Sequence, residues 1–290
     1  MIQSTPIKRE IVEKHLSSLN ISDMNRASIR EVVQIVDMIE AETGEKYVRM
    51  EMGVPGLPAA KVGIDAEIEA LHRGVASLYP NINGIPELKT EAALFVKNFL
   101  DIDVKPEHCA PSTGSMQATY ALFQVSSCCD AAKDTALFID PGFPVQKQQF
   151  MMIGAKFESF DVYNFRGEKL REKLESYFSK GNIHSVIYSN PNNPTWVCLT
   201  EDELKIIAEL ANKYDVIVME DLAYFGMDFR KDISRPGVAP FQSTVAKYTD
   251  NYVLFISASK IFSYAGQRIA VIVMSDKLFN RKYPALEKRF

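Results

Sequence analysis

The chain has 290 residues, of which 47% are hydrophobic and 24% are charged, and its formal net charge is −4. These values are ordinary for a globular protein, and the length fits either two domains or one large α/β unit. No basic block stands out, so the sequence lacks the electrostatic footprint of a nucleic-acid-binding protein, and no run approaches the roughly 20 apolar residues of a membrane span.

The first third of the chain predicts helices. Apolar residues recur at helical spacing, and Gly44 is a plausible C-terminal stop for the second helix. A loop rich in glycine and proline occupies residues 53–58, and a later helix begins at Pro86. Helices are expected at residues 7–19, 27–42, 65–78 and 87–100.

After residue 100, apolar runs alternate with helical patterns. Strands separated by helices indicate crossover connections and a mostly parallel sheet, and near-continuous apolar runs are typical of strands covered on both faces. Strands are expected at residues 135–139, 183–188, 215–219, 252–256 and 269–274, after a short apolar stretch at 108–111. Helices are expected between them at residues 115–128, 144–152, 168–178 and 201–213.

The cysteines and histidines form no metal-binding motif, and the cysteines bear on the redox setting of the protein. No Cys-x-x-Cys pair and no His-Glu-x-x-His motif is present, so a metal site has no support. The start of the chain carries no apolar signal core, and we expect a reduced, cytoplasmic setting. The cysteines are Cys109, Cys128, Cys129 and Cys198.

Lys260 comes after the apolar run 252–256 and precedes Arg268 by eight residues. Lysine is almost never fully buried without a partner, and burial lowers the pKa of an amine by disfavouring its charged form. A partly neutral amine is what Schiff-base chemistry requires. The hypothesis is therefore a covalent anchor for a carbonyl cofactor, with Arg268 holding an anionic part. The alternative is a surface lysine and arginine beside a strand.

Two more loops after expected strands carry candidate residues. Ser115 comes after Gly114 at the start of a helix, where free amides and the helix dipole favour an anion; the alternative is a plain serine N-cap. Phe143 lies in the turn 140–144, where it can stack on a flat ring or simply join the core. The chain lacks Gly-x-Gly-x-x-Gly and Gly-x-x-x-x-Gly-Lys loops, so dinucleotide and nucleotide triphosphate sites are not indicated.

Two further strand ends are polar. The segment 189–195 contains two Asn-Pro pairs, whose side chains can face a ligand or form Asx turns. Asp221 stands at the end of the next run, with Tyr224 three residues later. A carboxylate there can pair with a cationic ring nitrogen, and the alternative is a helix N-cap. In open parallel sheets, ligands bind beyond the carboxyl ends of strands, which is where all these motifs lie.

Together the motifs resemble the class I/II aminotransferases, which are fold-type-I pyridoxal-phosphate (PLP) enzymes. The resemblance runs from about Gly53 to Ala270 and includes Asn-Pro-x-Asn-Pro-Thr, Asp-x-Ala-Tyr and Ser-x-Ser-Lys with arginine eight residues later. It implies an α/β large domain at residues 61–290, with a mostly parallel seven-stranded sheet sandwiched by helices. Residues 1–60 are then an N-terminal arm and part of a small domain.

The resemblance also implies PLP as cofactor and an aminotransferase that moves an amino group between an amino acid and a 2-oxo acid. Lys260 matches the lysine that forms the Schiff base and acts as general base. Asp221 matches the carboxylate that keeps the pyridine nitrogen protonated, Asn193 and Tyr224 match the pair that bonds the phenolic oxygen, and Phe143 matches the stacking aromatic.

Other matches concern the phosphate, the second subunit and the substrate. Tyr79 matches the tyrosine that reaches the phosphate of a neighbouring subunit, so a homodimer is expected. Gly53 matches the glycine near the substrate carboxylate. The implied phosphate ligands are Ser115, the backbone amide of Met116, Ser257 and Arg268.

The chain departs from the family pattern at several points. Trp196 stands where the family usually has glycine, and Ser263, Tyr264 and Ala270 also differ from frequent glycine-containing patterns. No residue before the end at Phe290 matches the arginine that clamps the substrate carboxylate, so we expect a fragment. Two alternatives stay open: a PLP lyase of the same fold (a carbon–sulfur lyase or one like aminocyclopropane-carboxylate synthase), and a non-catalytic PLP-binding regulatory module.

Overall fold

The computed structural model describes residues 7–24 and 27–288, and the chain divides into two compact units, Met1–Gly56 and Leu57–Phe290. No helix within the described ranges is both long enough and apolar enough to cross a membrane. The predicted division into residues 1–60 and 61–290 stays a prediction about domains.

The N-terminal unit contains helices α1 (Arg9–Ser18) and α2 (Ile29–Thr43). Ser28 caps α2, because its Oγ accepts a hydrogen bond from the Glu31 amide at 3.3 Å while the Glu31 carboxylate accepts one from the Ser28 amide at 2.7 Å. This reciprocal capping satisfies two amides that a helix start leaves unpaired. Gly44 ends α2 with φ at 74°. The structure confirms both predicted helices to within two residues.

The second unit is built from helices and one sheet. Its strands are β1 (Cys109–Ser112), β2 (Thr135–Asp140), β3 (Lys156–Asp161), β4 (Ile183–Ser189), β5 (Ile217–Leu222), β6 (Tyr252–Ser257) and β7 (Ala270–Met274). Its helices are α3 (Lys61–His72), α4 (Pro86–Leu100), α5 (Ser115–Cys129), α6 (Pro144–Met152), α7 (Glu168–Phe178), α8 (Glu201–Tyr214), α9 (Ala258–Ile261), α10 (Asp276–Asn280) and α11 (Pro284–Glu287).

The seven strands form a single sheet in the order β1-β7-β6-β5-β4-β2-β3. Strand β7 is antiparallel to both of its neighbours, and every other adjacent pair is parallel. The predicted mostly parallel seven-stranded sheet is therefore confirmed. Strand order reverses at β2 and β4, since the chain leaves β2 towards β3 and leaves β4 towards β5; such a reversal opens a crevice at the carboxyl ends of the strands.

Both faces of the sheet are covered. Leu137 and Ile139 of β2 pack in a cluster with residues of α4, α7 and α8. Phe138, between them in sequence, faces the opposite side and packs with Phe123 of α5 and Phe150 of α6. Each fully buried side chain of this size stabilises the fold by about 1.5–3 kcal/mol. Double coverage explains why the strands are near-continuous apolar runs.

Three sequence-based expectations were wrong in detail. Strand β3 was not predicted because its residues alternate between polar and apolar side chains, and as an edge strand it buries only Phe160 fully. Strand β5 begins and ends later than 215–219, since the sheet continues through the buried carboxyls of Glu220 and Asp221. Helix α3 is four residues earlier at its start than predicted and stops at His72, before Gly74 takes a left-handed conformation with φ at 84°.

Candidate active site

The predicted residues come from loops that meet at one edge of the sheet. The loops after β1, β2, β4, β5 and β6 leave the carboxyl ends of strands that run in the same direction. Strand β7 runs the opposite way, so its first residue lies at the same edge of the sheet as the carboxyl ends of the other strands. The register aligns Ser112, Ala270 and Ser257 across three adjacent strands, and it pairs Ser189 with Asp221.

Lys260 lies in the short helix α9, one turn beyond β6. The Ser257 hydroxyl oxygen at the end of β6 accepts a hydrogen bond from the Ser259 amide at 3.1 Å, which fixes the start of the turn. The lysine is half-buried. Burial lowers the pKa of its amine, and the positive charge of Arg268 lowers it further. Both effects increase the neutral, nucleophilic fraction of the Lys260 amine.

Tyr224 lies beside this amine, with 5.9 Å between Lys260 Nζ and the centre of the tyrosine ring. The ring is half-buried in the turn after β5. Burial raises the pKa of the Tyr224 hydroxyl, and the negative charge of Asp221 raises it further. The hydroxyl is therefore protonated near neutral pH and can donate a hydrogen bond.

Asp221 is a buried carboxyl, with 6% of the residue exposed. Its Oδ2 accepts a hydrogen bond from Gln146 Nε2 at 2.8 Å, and its Oδ1 accepts one from the Ala223 amide at 3.0 Å. Burial raises the pKa of Asp221 to about 6, although both hydrogen bonds oppose the shift. The residue lies within the end of β5 and does not cap a helix, which removes the simpler alternative for its role.

Gln146 was missed in the sequence. It lies on α6, three residues after Phe143, and it is 4% exposed. The sequence carried no signal for its role, because its partner Asp221 is 75 positions away. Phe143 itself is half-buried at the start of α6.

Glu220 anchors the loop that carries Asn193. Its fully buried carboxylate accepts hydrogen bonds from Asn190 Nδ2 at 3.2 Å, from the Val245 amide at 3.1 Å and from Thr244 Oγ1. Burial raises the pKa of Glu220 to about 7 against these hydrogen bonds. A buried polar group with several donors holds its partners in one arrangement, so the start of the Asn-Pro loop is fixed.

Asn192 fixes the middle of the same loop. Its Nδ2 donates to the Pro141 carbonyl at 2.6 Å and so joins the loops after β2 and β4. Its Oδ1 accepts from Thr195 Oγ1 at 2.7 Å. The same Oδ1 accepts from the Thr195 amide at 3.2 Å, so the Asn192 side chain stabilises the turn itself. Asn193 is half-buried, and its amide donates to Ser189 Oγ at 3.3 Å.

Arg268 and Gly114 are in direct contact. A Cβ atom on Gly114 would displace Arg268 Nη2, and Gly114 has φ at 78°, so a side chain at this position would strain the backbone and move the guanidinium. Arg268 is exposed, has φ at 57°, and donates from Nη1 to the Ala265 carbonyl at 2.8 Å. Ser115 opens the 15-residue helix α5 directly after Gly114. The guanidinium and the start of α5 are therefore the two groups on which the predicted phosphate site depends.

The remaining predicted residues are distributed differently. Ser257 is buried, and the Met116 carbonyl accepts a hydrogen bond from Gln149 Nε2 at 2.9 Å. The side chain of Tyr79 is fully exposed within the second unit. Gly53 belongs to the N-terminal unit. The roles assigned to these four residues stay predictions. Within the described ranges, no three His, Cys, Asp or Glu side chains converge as a metal site.

Residues 46–284 match the model of the family described as aminotransferase class I and II. The chain belongs to this aminotransferase family. The resemblance drawn from the strand-end motifs is confirmed, and with it the pyridoxal-phosphate fold type I.

Curated relatives of this family member carry aminotransferase names. The probable aspartate aminotransferase of Methanocaldococcus jannaschii is 25% identical over 80% of this chain and 58% of its own length. The aspartate aminotransferase of Pyrococcus horikoshii is 26% identical over 88% of this chain and 61% of its own length. The glutamate-pyruvate aminotransferase AlaC of Escherichia coli is 27% identical over 83% of this chain and 57% of its own length. The chain thus spans about three fifths of these relatives.

Solved aminotransferases share the fold. A Mycobacterium tuberculosis aminotransferase superposes with a TM-score of 0.73 at 22% identity, covering 90% of this chain and 63% of that one. A double mutant of the Thermus thermophilus aspartate aminotransferase superposes with a TM-score of 0.73 at 20% identity, covering 91% and 65%. At these identities the likeness concerns the fold alone.

Proposed function

We propose that this protein is a PLP-dependent aminotransferase that moves an amino group between an amino acid and a 2-oxo acid. The observation that carries the proposal is the position of Lys260. An amine with a lowered pKa lies 5.9 Å from the Tyr224 ring, on the loop that ends at Arg268. Relatives that bear aminotransferase names cover most of this chain and support the same activity.

The charges of the site fit pyridoxal phosphate at both ends. Asp221 is a buried carboxyl whose two hydrogen-bond donors, the Gln146 amide and the Ala223 backbone, are neutral. A cationic ring nitrogen beside it would offset the cost of burying its charge. At the other end, Arg268 and the start of α5 suit a phosphate, since both favour anions. When bound, the cofactor supplies an aldehyde for the amine and an electron-accepting ring.

The residues of this chain then divide the work. Lys260 would hold the cofactor covalently through Nζ, and the same amine would serve as the base for the substrate Cα proton. Asp221 would keep the ring nitrogen protonated, and Tyr224 and Asn193 would donate hydrogen bonds to the phenolic oxygen. Phe143 would pack on the ring. Proton transfer within one bound assembly avoids the entropic cost of a bimolecular step.

The proposal includes a homodimer in a cytoplasmic setting. Helix α3 buries none of its side chains within the structure. Val62 is 77% exposed and Ile68 is 49% exposed. Tyr79, fully exposed a few residues later, is then available to the phosphate of a second subunit. A second copy of this chain would bury this apolar helix, because contiguous exposed apolar surfaces favour association between proteins. The four cysteines are free thiols, which suits a reducing compartment.

The decisive experiment is covalent mapping. The purified protein is incubated with pyridoxal phosphate, its visible absorbance is recorded, and borohydride reduction is followed by peptide mass mapping. We expect the modification on Lys260, its loss in Lys260→Ala, and its retention in Lys247→Ala. A protein that takes up no cofactor would contradict the proposal.

Turnover separates the remaining alternatives. A screen of amino donors with 2-oxoglutarate should yield glutamate. Pyruvate formed from a single amino acid without an oxo-acid acceptor would instead support a lyase of the same fold. Cofactor bound on Lys260 without either reaction would contradict the catalytic part of the proposal and favour a regulatory module.

A further inference from the structure

Trp196 is the single tryptophan of the chain, and its backbone is unusual. Its φ is 60°, in the left-handed region that glycine normally occupies. Its amide donates to the Asn192 carbonyl at 2.9 Å and closes the Asn-Pro turn. A non-glycine residue in this region costs on the order of 1–3 kcal/mol and persists only when its surroundings hold it there.

The Trp196 ring contacts two other aromatic rings. Its centre lies 5.5 Å from that of Tyr224, with 72° between the ring planes. It also stacks on Phe229, with 6.3 Å between centres and 20° between planes. Edge-to-face contacts such as the one with Tyr224 stabilise by about 0.5–1.5 kcal/mol beyond their buried area. The ring contacts therefore offset part of the backbone strain.

Tyr224 neighbours both Trp196 and Lys260. Its ring contacts the indole, and the Lys260 amine lies 5.9 Å from its centre. The turn that carries Tyr224 is short, since the Phe225 amide donates to the Leu222 carbonyl at 2.9 Å. This bond fixes the backbone, whereas the two torsions of the tyrosine side chain depend on the neighbours of its ring. The contact with Trp196 restrains that ring.

We propose that Trp196 is a positioning residue, whose ring holds Tyr224 at the angle from which its hydroxyl reaches the phenolic oxygen of the cofactor. This inference rests on the proposed function and adds a residue to the machinery. The effect of Trp196 on the cofactor passes through Tyr224.

Several charged groups surround Trp196 and Tyr224. Asp221 and Lys260 act on Tyr224 from the ends of β5 and β6, and Arg268 acts on Lys260. Further along the chain, Asp228 forms an ion pair with Arg230 at 2.7 Å. Both charges act electrostatically on the Cys198 thiol. Substituting Trp196 by an uncharged residue leaves all of these charges in place, so a changed pH response would report the position of Tyr224.

The test is a mutant cycle on the cofactor-loaded protein, read by the pH midpoint of the cofactor's absorbance change. A hydrogen bond from Tyr224 stabilises the deprotonated form of the cofactor, so Tyr224→Phe should raise the midpoint. We expect Trp196→Gly to raise it in the same direction by about 0.5–1 pH unit, a three- to tenfold change in proton affinity. Trp196→Phe should lie near the parent protein, and Trp196→Gly/Tyr224→Phe should match Tyr224→Phe alone.

A midpoint in Trp196→Gly equal to that of the parent protein, or a double variant that adds the two shifts, would overturn the inference. Failure of all variants and the parent to bind the cofactor would contradict the proposed function instead. Glycine suits the left-handed backbone at position 196, so the variant is expected to fold.

Tryptophan fluorescence gives a second readout that needs no cofactor. Because Trp196 is the only tryptophan, the whole indole emission reports its surroundings. Tyr224→Ala should move the emission to longer wavelength as the indole becomes more exposed. Tyr248→Ala, in another part of the fold, should leave it unchanged. An unchanged spectrum in Tyr224→Ala would contradict the ring contact on which the inference depends.

Discussion

Gln146 Nε2 donates a hydrogen bond to Asp221 Oδ2 across 2.8 Å, between two side chains that are both more than nine-tenths buried. The donor comes from the start of α6 and the acceptor from the end of β5. Phe143 immediately precedes α6 as its N-cap residue, so one segment carries both Phe143 and the group that orients the carboxylate. In the proposed function, this segment would contribute to both the ring face and the ring nitrogen of the cofactor.

Replacing Gln146 with leucine should weaken cofactor binding. The charged form of Asp221 loses a hydrogen bond worth about 1.5–3 kcal/mol, so the pKa of the carboxyl rises further and its attraction for a ring cation falls. We expect the Kd for pyridoxal phosphate to increase about tenfold or more, measured by absorbance titration at pH 8. Gln148→Leu, on the exposed side of the same helix, is the control and should retain the parent affinity.

Asp221→Asn should stabilise the cofactor-free protein at high pH. Folding raises the pKa of Asp221 from 3.8 to about 6. A raised folded-state pKa contributes stability at low pH that is lost as pH rises through about 6. Asparagine avoids this loss, so its advantage in unfolding free energy should grow between pH 5 and pH 8, towards an upper limit of about 3 kcal/mol. Its amide can satisfy only one of the two donors, which reduces the gain.

Urea unfolding at both pH values measures the effect. The same variant should bind pyridoxal phosphate poorly, because the neutral amide no longer attracts the ring nitrogen. A difference in unfolding free energy between variant and parent that stays constant from pH 5 to pH 8 would contradict the raised pKa of Asp221.

Gly114→Ala should impair recognition of the phosphate. The new Cβ would overlap Arg268 Nη2, so the guanidinium must move. We expect weaker binding of pyridoxal phosphate by about tenfold or more, with little change for pyridoxal, since charge-assisted contacts to the phosphate are lost. Gly181→Ala is a matched control, because Gly181 has φ at 77° and nothing lies within 4 Å of its Cβ. Equal losses for both ligands would exclude a phosphate-specific role.

Ile68→Glu should dissociate the proposed dimer without unfolding the subunit. Ile68 is 49% exposed on α3, so the substitution leaves the subunit core intact. Burying the new carboxylate between subunits has a cost of several kcal/mol unless it is paired. Sedimentation should show a monomer that still unfolds in one cooperative transition. Met152→Glu, at a residue that is 82% exposed on α6, should stay dimeric; a dimer in both variants would place the interface elsewhere.

The sequence alone was sufficient to locate candidate site residues that stand shortly after an apolar run. Asp221 and Lys260 were predictable because apolar runs locate strands, and parallel strands bring their ends to one edge. Gln146 was not predictable in its role, because its partner is 75 positions away in sequence. The burial of Glu220 was missed for a related reason. Its hydrogen-bond donors lie on loops that are distant in sequence, and without knowledge of them a carboxyl in a strand is interpreted as the end of that strand.

The antiparallel direction of β7 affects the length of the ligand that the proposed site can accept. Lys260 and Arg268 stand near the two ends of a single connection, between β6 and β7. For the proposed cofactor, the spacing between amine and guanidinium would then depend on the length of that connection. Adding or removing one residue there should change the ligand length that the site accepts, whereas the same change between β3 and β4 should leave it untouched.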